Sequence, residues 1–200
     1  MRPGVAYHPG FLDRAAQEQL VETLREAVAQ APLFTAVMPK TGREFSVRMT
    51  NLGPLGWVSD RAGYRYQPNH PATGQPWPAI PEQVMDIWQA VAAYPHPPEA
   101  CLVNFYREGA KMGLHRDADE EDFAAPIVSI SLGDTAVFRV GGPERGGKTE
   151  TLKLQSGDAL LMGGASRLCY HGIDRVLTGT STLLKDGGRI NLTLRRVTTP

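Results

Sequence analysis

The chain has 200 residues, 42% of them apolar and 21% charged, with acidic and basic side chains in equal number. This length suits one domain that buries roughly 70% of its unfolded surface. No apolar run reaches the about 18 residues that a membrane-spanning helix needs. Zero net charge argues against coating nucleic acid by bulk charge, although residues 40–66 set Lys40, Arg43, Arg48, Arg61 and Arg65 against only Glu44 and Asp60.

The opening MRPGVAYHPGFLDR lacks the charged-then-apolar order of a secretory leader. Cys101 and Cys169 alone make a disulfide framework unexpected, so a reducing, cytoplasmic setting is predicted. Residues 13–29 read as a helix: Asp13 suits its N-cap, and Leu12, Ala16, Leu20, Leu24 and Val28 recur at helical spacing. Residues 31–80 show no sustained period, and a stretch this long is usually functional or disordered. Its aromatic content speaks against disorder. It reads as a lid over the site, with a structural β-extension carrying core aromatics as the other reading and room for a short hairpin around PKTGREFSVRM. A second helix is expected from Pro81, with Val84, Ile87, Trp88 and Val91 as its buried stripe.

From Cys101 onward, short strands alternate with Gly, Pro and Asp. They are expected near 101–107, 126–132, 135–140, 149–155, 158–162, 167–173 and 189–197. Strands at this spacing after two helices predict an α+β chain with a double-sheet jelly-roll core. The run Gly142 to Thr149 fits the phosphate-loop formula G-x-x-x-x-G-K-S/T. The segment after it alternates like a strand, whereas phosphate binding needs a helix there, so it reads as a hairpin connection. The acidic run Asp117 to Asp122 lacks the Gly and Glu of a calcium loop and reads as a solvated loop.

Two patterns carry chemistry. His115-Arg116-Asp117 with the later His171 has the form of the 2-His-1-carboxylate facial triad of non-haem Fe(II) oxygenases. In the last strand, RINLTLR, alternation puts Ile190, Leu192 and Leu194 on one face and Arg189, Asn191, Thr193 and Arg195 on the other. Turned inward, two guanidinium groups without anions would cost several kcal/mol each. A dicarboxylate ligand resolves that cost, because Arg pairs bidentately with carboxylate. An edge strand with its arginines in water is the other reading. Asn104 and Tyr106 share a face of the strand that enters the metal site, where each could bond a ligand oxygen or else make a structural hydrogen bond within the barrel.

Taken together, NFY at 104–106, GAK at 109–111, LHRDADE at 114–120, APIVSISLG at 125–133, GGASRLCYHGI and RINLTLR resemble the AlkB family of 2-oxoglutarate- and Fe(II)-dependent dioxygenases. MTNLGPLGW, GYRYQP and QPWPAIP, upstream, are similar too, so the resemblance spans about residues 33–196. It implies a double-stranded β-helix in one domain: an N-terminal helix in 1–32, a nucleotide-recognition lid in 33–80, a supporting helix in 81–100 and the jelly roll in 101–197. It also implies Fe(II) on His115, Asp117 and His171, and 2-oxoglutarate on Asn104, Tyr106, Arg189, Asn191 and Arg195. Trp57, Tyr64, Arg65, Tyr66, Asp119 and Arg145 would meet the substrate. Asp119 is the first candidate for reading the base edge. Two departures stand out: Ala118 where a basic residue is expected, and Asp60 where no acid is expected.

The implied activity is oxidative demethylation of 1-methyladenine and 3-methylcytosine in DNA or RNA, with release of formaldehyde, succinate and CO₂. Single-stranded DNA and a monomeric enzyme are expected. The same chemistry on tRNA or a protein side chain, and a jelly-roll binding module without iron, are the rival readings.

Overall fold

The computed structural model describes residues 1–200. In chain order, β1 (Val5–His8) precedes α1 (Arg14–Gln30), then β2 (Phe34–Val37), β3 (Glu44–Leu52), β4 (Gly56–Asp60) and β5 (Gly63–Gln67). After α2 (Glu82–Val91) come β6 (Ala100–Tyr106), β7 (Met112–His115), β8 (Ile127–Gly133) and β9 (Thr135–Val140). The chain closes with β10 (Glu150–Leu154), β11 (Ala159–Met162), β12 (His171–Leu177) and β13 (Arg189–Arg195).

Both helices form for the reasons their sequences suggest. Asp13 Oδ1 accepts from Ala16 N at 2.8 Å and so caps α1. Leu20 and Leu24 face inward. The second helix begins at Glu82, one residue after Pro81, and Trp88 is core at 1% exposure. No helix is long and apolar enough to cross a membrane.

Seven strands form the large sheet in the order β1-β11-β8-β13-β6-β3-β2, and four form the small one, β10-β9-β12-β7. Every pairing is antiparallel. Three adjacent central strands share one alternation. Cys101 and Val103, Val128, Ile130 and Leu132, and Leu192 and Leu194 pack outward in one cluster with Leu20, Leu24, Val84 and Trp88 of the helices. The intervening residues face the small sheet, where Tyr106, Ile127, Phe138, Leu160, Met162 and Ile173 make a second core. This is the jelly roll with helices backing its large sheet.

Four expectations need correction. Residues 31–80 are not without regular structure: β2 and β3 extend the large sheet, and β4–β5 stands apart as a two-stranded ribbon. Gly and Pro between these short strands hide their period. The β2–β3 turn does fall in the PKTGREF segment. The strand expected over 167–173 starts only at His171, because Gly164–Ser166 is a 3₁₀ turn and Arg167 is turned into the interior. The acidic run after Asp117 is not a solvated loop: Glu120 and Asp122 are both buried. Finally, β1 and β7 have no counterpart in the expected elements; each is four residues long and paired along one side. The 142–149 run joins β9 to antiparallel β10, as a hairpin connection should.

Candidate active site

His115 ends β7 and His171 begins β12, and the two residues are register partners across the small sheet. Asp117 lies two residues beyond β7. The three ligand atoms fall within 4.8 Å of one another. His115 Nε2 is 3.6 Å from Asp117 Oδ1, and His171 Nε2 is 3.8 Å from Oδ2. Each imidazole is oriented from behind, His115 through Nδ1 and Gly113 O at 2.9 Å, His171 through Nδ1 and Cys169 O at 3.0 Å. These bonds leave both Nε2 atoms toward Asp117, the arrangement in which backbone carbonyls fix a metal-ligating tautomer.

Gly172 permits the approach of the two strands. A Cβ there would meet Met112 O at 2.5 Å and Gly113 O at 2.8 Å.

Burial acts to raise the Asp117 carboxyl, but Arg195, then His171, His115 and Arg167, hold it well below the usual carboxylate range. Burial, followed by the neighbouring His115, pushes His171 down to about 4. Asp117 is therefore ionised and His171 neutral near pH 7, as metal ligation requires.

The triad opens into a cavity of about 440 Å³. One wall is the inner face of β13 and its neighbours. Arg189 is fully buried there, donating from Nη2 to Ser131 Oγ at 2.8 Å and, more weakly, from Nη1 to Leu154 O at 3.4 Å. No carboxylate lies within ion-pair distance of it, and its Nε has no partner. Burial pushes its pKa down to about 10. Burial likewise pushes the Tyr106 hydroxyl up to about 12, against the pull of Arg189. Asn104 Oδ1 is a second buried atom without a partner. Asn191 is held by Ser129 Oγ at 2.7 Å. A lone buried guanidinium beside an unpartnered amide oxygen and a protonated phenol fits an anionic, oxygen-rich ligand.

Arg195 differs. Its Nη2 donates to Asp117 Oδ2 at 2.8 Å and its Nη1 to Tyr66 Oη at 3.2 Å, while its Nε lacks a hydrogen-bond partner. It lines the cavity beside the triad rather than at the Arg189 end.

At the mouth, Trp57 of β4 and Tyr64 of β5 stack at 5.6 Å and 17°. Trp57 Nε1 donates to Asp119 Oδ2 at 2.8 Å. Trp57, Tyr64, Asp119 and Arg145 all line the cavity. Two expected substrate residues do not. The Arg65 guanidinium is engaged by Asp60, at 3.0 and 2.7 Å. Tyr66 points beneath the ribbon, where its hydroxyl donates to Glu120 and accepts from Arg195.

Sequence reasoning missed Glu120, Arg167, Ser129 and Ser131. The serines carried a usable signal, since they alternate with Val128, Ile130 and Leu132 on the inward face. Glu120 and Arg167 carried none.

The model of the 2OG-Fe(II) oxygenase superfamily matches residues 4–195. Its class is therefore that of Fe(II)- and 2-oxoglutarate-dependent oxygenases, and the triad fits Fe(II). An alpha-ketoglutarate-dependent dioxygenase AlkB homolog of Caulobacter vibrioides is 52% identical over 98% of this chain and 89% of its own. The alpha-ketoglutarate-dependent dioxygenase AlkB of Escherichia coli is 45% identical over 90% and 85%. The solved structure of OsALKBH1, 33% identical, superposes with a TM-score of 0.82 over 98% of both chains. The chain belongs to the AlkB family of dioxygenases, with Fe(II) as metal and 2-oxoglutarate and O₂ as cosubstrates.

Proposed function

We propose that this enzyme removes methyl groups from base nitrogens of nucleic acid, with 1-methyladenine and 3-methylcytosine in single-stranded DNA as its first substrates. The observation that carries the reading is the arrangement along one cavity. The triad lies inside it, an anion-free arginine lies at one wall, and an aromatic stack lies at the mouth.

His115, Asp117 and His171 would hold the iron in this reading. Fe(II) with 2-oxoglutarate and O₂ supplies the oxidising power to hydroxylate a methyl C–H bond, which no side chain of the chain can supply. Arg189 takes the distal carboxylate of 2-oxoglutarate, Tyr106 and Asn104 bond its oxygens, and Asn191 completes the wall. Arg195, which lines the cavity beside the triad, would also meet the cosubstrate while remaining paired to Asp117. Met49, Leu102, Ile127 and Leu160 line the cavity and restrict water around the reacting methyl group.

The β4–β5 ribbon serves as the nucleotide-recognition lid of a single dioxygenase domain. A target base leaves its stack to enter the cavity. There Trp57 and Tyr64 offer a π-face worth roughly 1–3 kcal/mol per base. Asp119, tied to Trp57, places a carboxylate where a cationic methylated base is favoured over a neutral one. Arg145 offers the rim a cation. A cytoplasmic monomer fits this role.

The test is release of succinate and formaldehyde from an oligonucleotide carrying either lesion, given Fe(II), ascorbate and 2-oxoglutarate. Equal amounts of both products, abolished in His115→Ala, are expected. Succinate without formaldehyde from every methylated strand would overturn the substrate while leaving the oxygenase.

A further inference from the structure

Behind the triad, Asp117 and Arg195 belong to a buried group of four charges whose other two members, Glu120 and Arg167, the reaction does not itself use. Arg195 sits between two carboxylates: its Nη2 bonds Asp117 Oδ2 at 2.8 Å, and its Nε is 3.6 Å from Glu120 Oε1. Arg167 closes the group from the other side. It donates from Nη2 to Glu120 Oε2 at 3.1 Å, from Nη1 to the Asp117 carbonyl at 2.8 Å and from Nε to Ala125 O at 2.9 Å. Tyr66 donates to Glu120 and accepts from Arg195 at 3.2 Å, so one hydroxyl spans both. All four charged side chains are at most 8% exposed.

This arrangement poses a competition. Asp117 is the carboxylate ligand of the triad, yet a guanidinium already bonds one of its two oxygens. With Asp117 as its sole counter-ion, Arg195 would hold that oxygen strongly in so dry a place. Glu120 supplies a second anion, which shares the guanidinium charge and leaves Asp117 electron density for a cation. Arg167 in turn fixes the Asp117 backbone and holds Glu120 in place.

We infer that Glu120, held by Tyr66 and Arg167, is a positioning residue for the metal site: it draws Arg195 off the iron ligand Asp117. The inference rests on the assignment of Asp117 as a ligand and not on the nucleic-acid substrate.

Binding of Mn(II) alone to metal-free protein, followed by calorimetry at pH 7.5, tests it without turnover. Glu120→Gln should weaken Mn(II) binding by about 10–100-fold, the usual effect of losing a partner behind a metal ligand. A structural fault or a simple through-space attraction between Glu120 and the metal would give that loss as well. The double-mutant cycle separates them. In an Arg195→Leu background, Glu120→Gln should weaken Mn(II) by less than about threefold, because the competitor is gone. An equal loss in both backgrounds overturns the inference, and so does unchanged binding in Glu120→Gln. If the Glu120 variant does not fold, Tyr66→Phe reads the same contact, with a loss of about three- to tenfold that again vanishes beside Arg195→Leu. No Mn(II) binding by wild-type protein would instead overturn the ligand assignment and this inference with it. Binding that follows the cycle while every methylated oligonucleotide is ignored would overturn the proposed substrate alone.

Discussion

Arg189 donates to Ser131 Oγ at 2.8 Å and meets no carboxylate, although it is fully buried. An unpaired buried guanidinium is costly to the fold. Its place at the wall of the iron-bearing cavity makes that cost intelligible as preparation for an anion. Arg189→Met should therefore weaken 2-oxoglutarate binding by about 10–100-fold, the range for a charge-assisted bond of about 1.5–3 kcal/mol. The same variant should melt no lower than wild type when 2-oxoglutarate is absent. A fixed excess of 2-oxoglutarate should then raise the wild-type Tm by clearly more than that of the variant. Calorimetry and paired melts check both, and a variant melting several degrees below wild type without cosubstrate would show that Arg189 serves the fold instead.

Gly172 is the second point where backbone geometry meets chemistry. A methyl group there collides with two carbonyl oxygens of β7, at 2.5 and 2.8 Å, and neither can swing away as a side-chain end could. Gly172→Ala must push β7 from β12 and thereby part His115 from His171. The expected results are roughly 1–3 kcal/mol of lost stability and about a 10–100-fold weaker metal affinity. Urea unfolding and Mn(II) titration measure the two. Wild-type metal affinity in this variant would mean that the histidines are placed independently of the strand pairing.

How far the sequence carried the reading depends on range. The inward face of β13 was legible because strand alternation is local, and neighbouring β6 and β8 repeat it. The triad was legible because two of its members are two residues apart and the family motifs around all three are distinctive. Glu120 and Arg167 were hidden because they meet across 47 positions and neither lies in a periodic segment. A string of acids also reads as a wet loop until Tyr66, Arg195 and Arg167 are seen to cover it. Tyr66 shares a strand face with Tyr64, but its hydroxyl is taken up by Glu120 and Arg195, partners 54 and 129 positions away that no local pattern announces.

The ion pair of Asp60 with Arg65 bears on how strongly the lid grips a strand. Asp60 is the unexpected acid of this segment, and its two oxygens occupy both terminal nitrogens of Arg65. Asp60→Asn should release that guanidinium for a backbone phosphate. Binding of single-stranded DNA should tighten, and the slope of log K against log salt should steepen by about 0.7, one phosphate's worth. Anisotropy titrations from low to physiological salt measure it. An unchanged slope would place Arg65 away from the bound strand.

The final turn of the fold gives a pH prediction. Glu99 accepts from Val197 N at 2.9 Å, Thr198 N at 2.7 Å and Thr198 Oγ1 at 2.8 Å, with Arg196 Nε at 3.4 Å. Burial acts to raise its pKa, but the Thr198 and Val197 donors and Arg196 together lower it from 4.5. The folded state thus binds this proton less tightly than the unfolded chain does. The associated stability is fully present above the unfolded value and is lost as pH falls through the folded one. Glu99→Gln turns an amide NH₂ toward backbone donors, so it should lower stability at pH 7 by about 1–2 kcal/mol. It should also lose less stability than wild type between pH 5 and pH 3, so that the two curves converge in acid. Urea unfolding of metal-free protein across that range is the check. Parallel curves would show that the clamp on β13's end does not titrate with the fold.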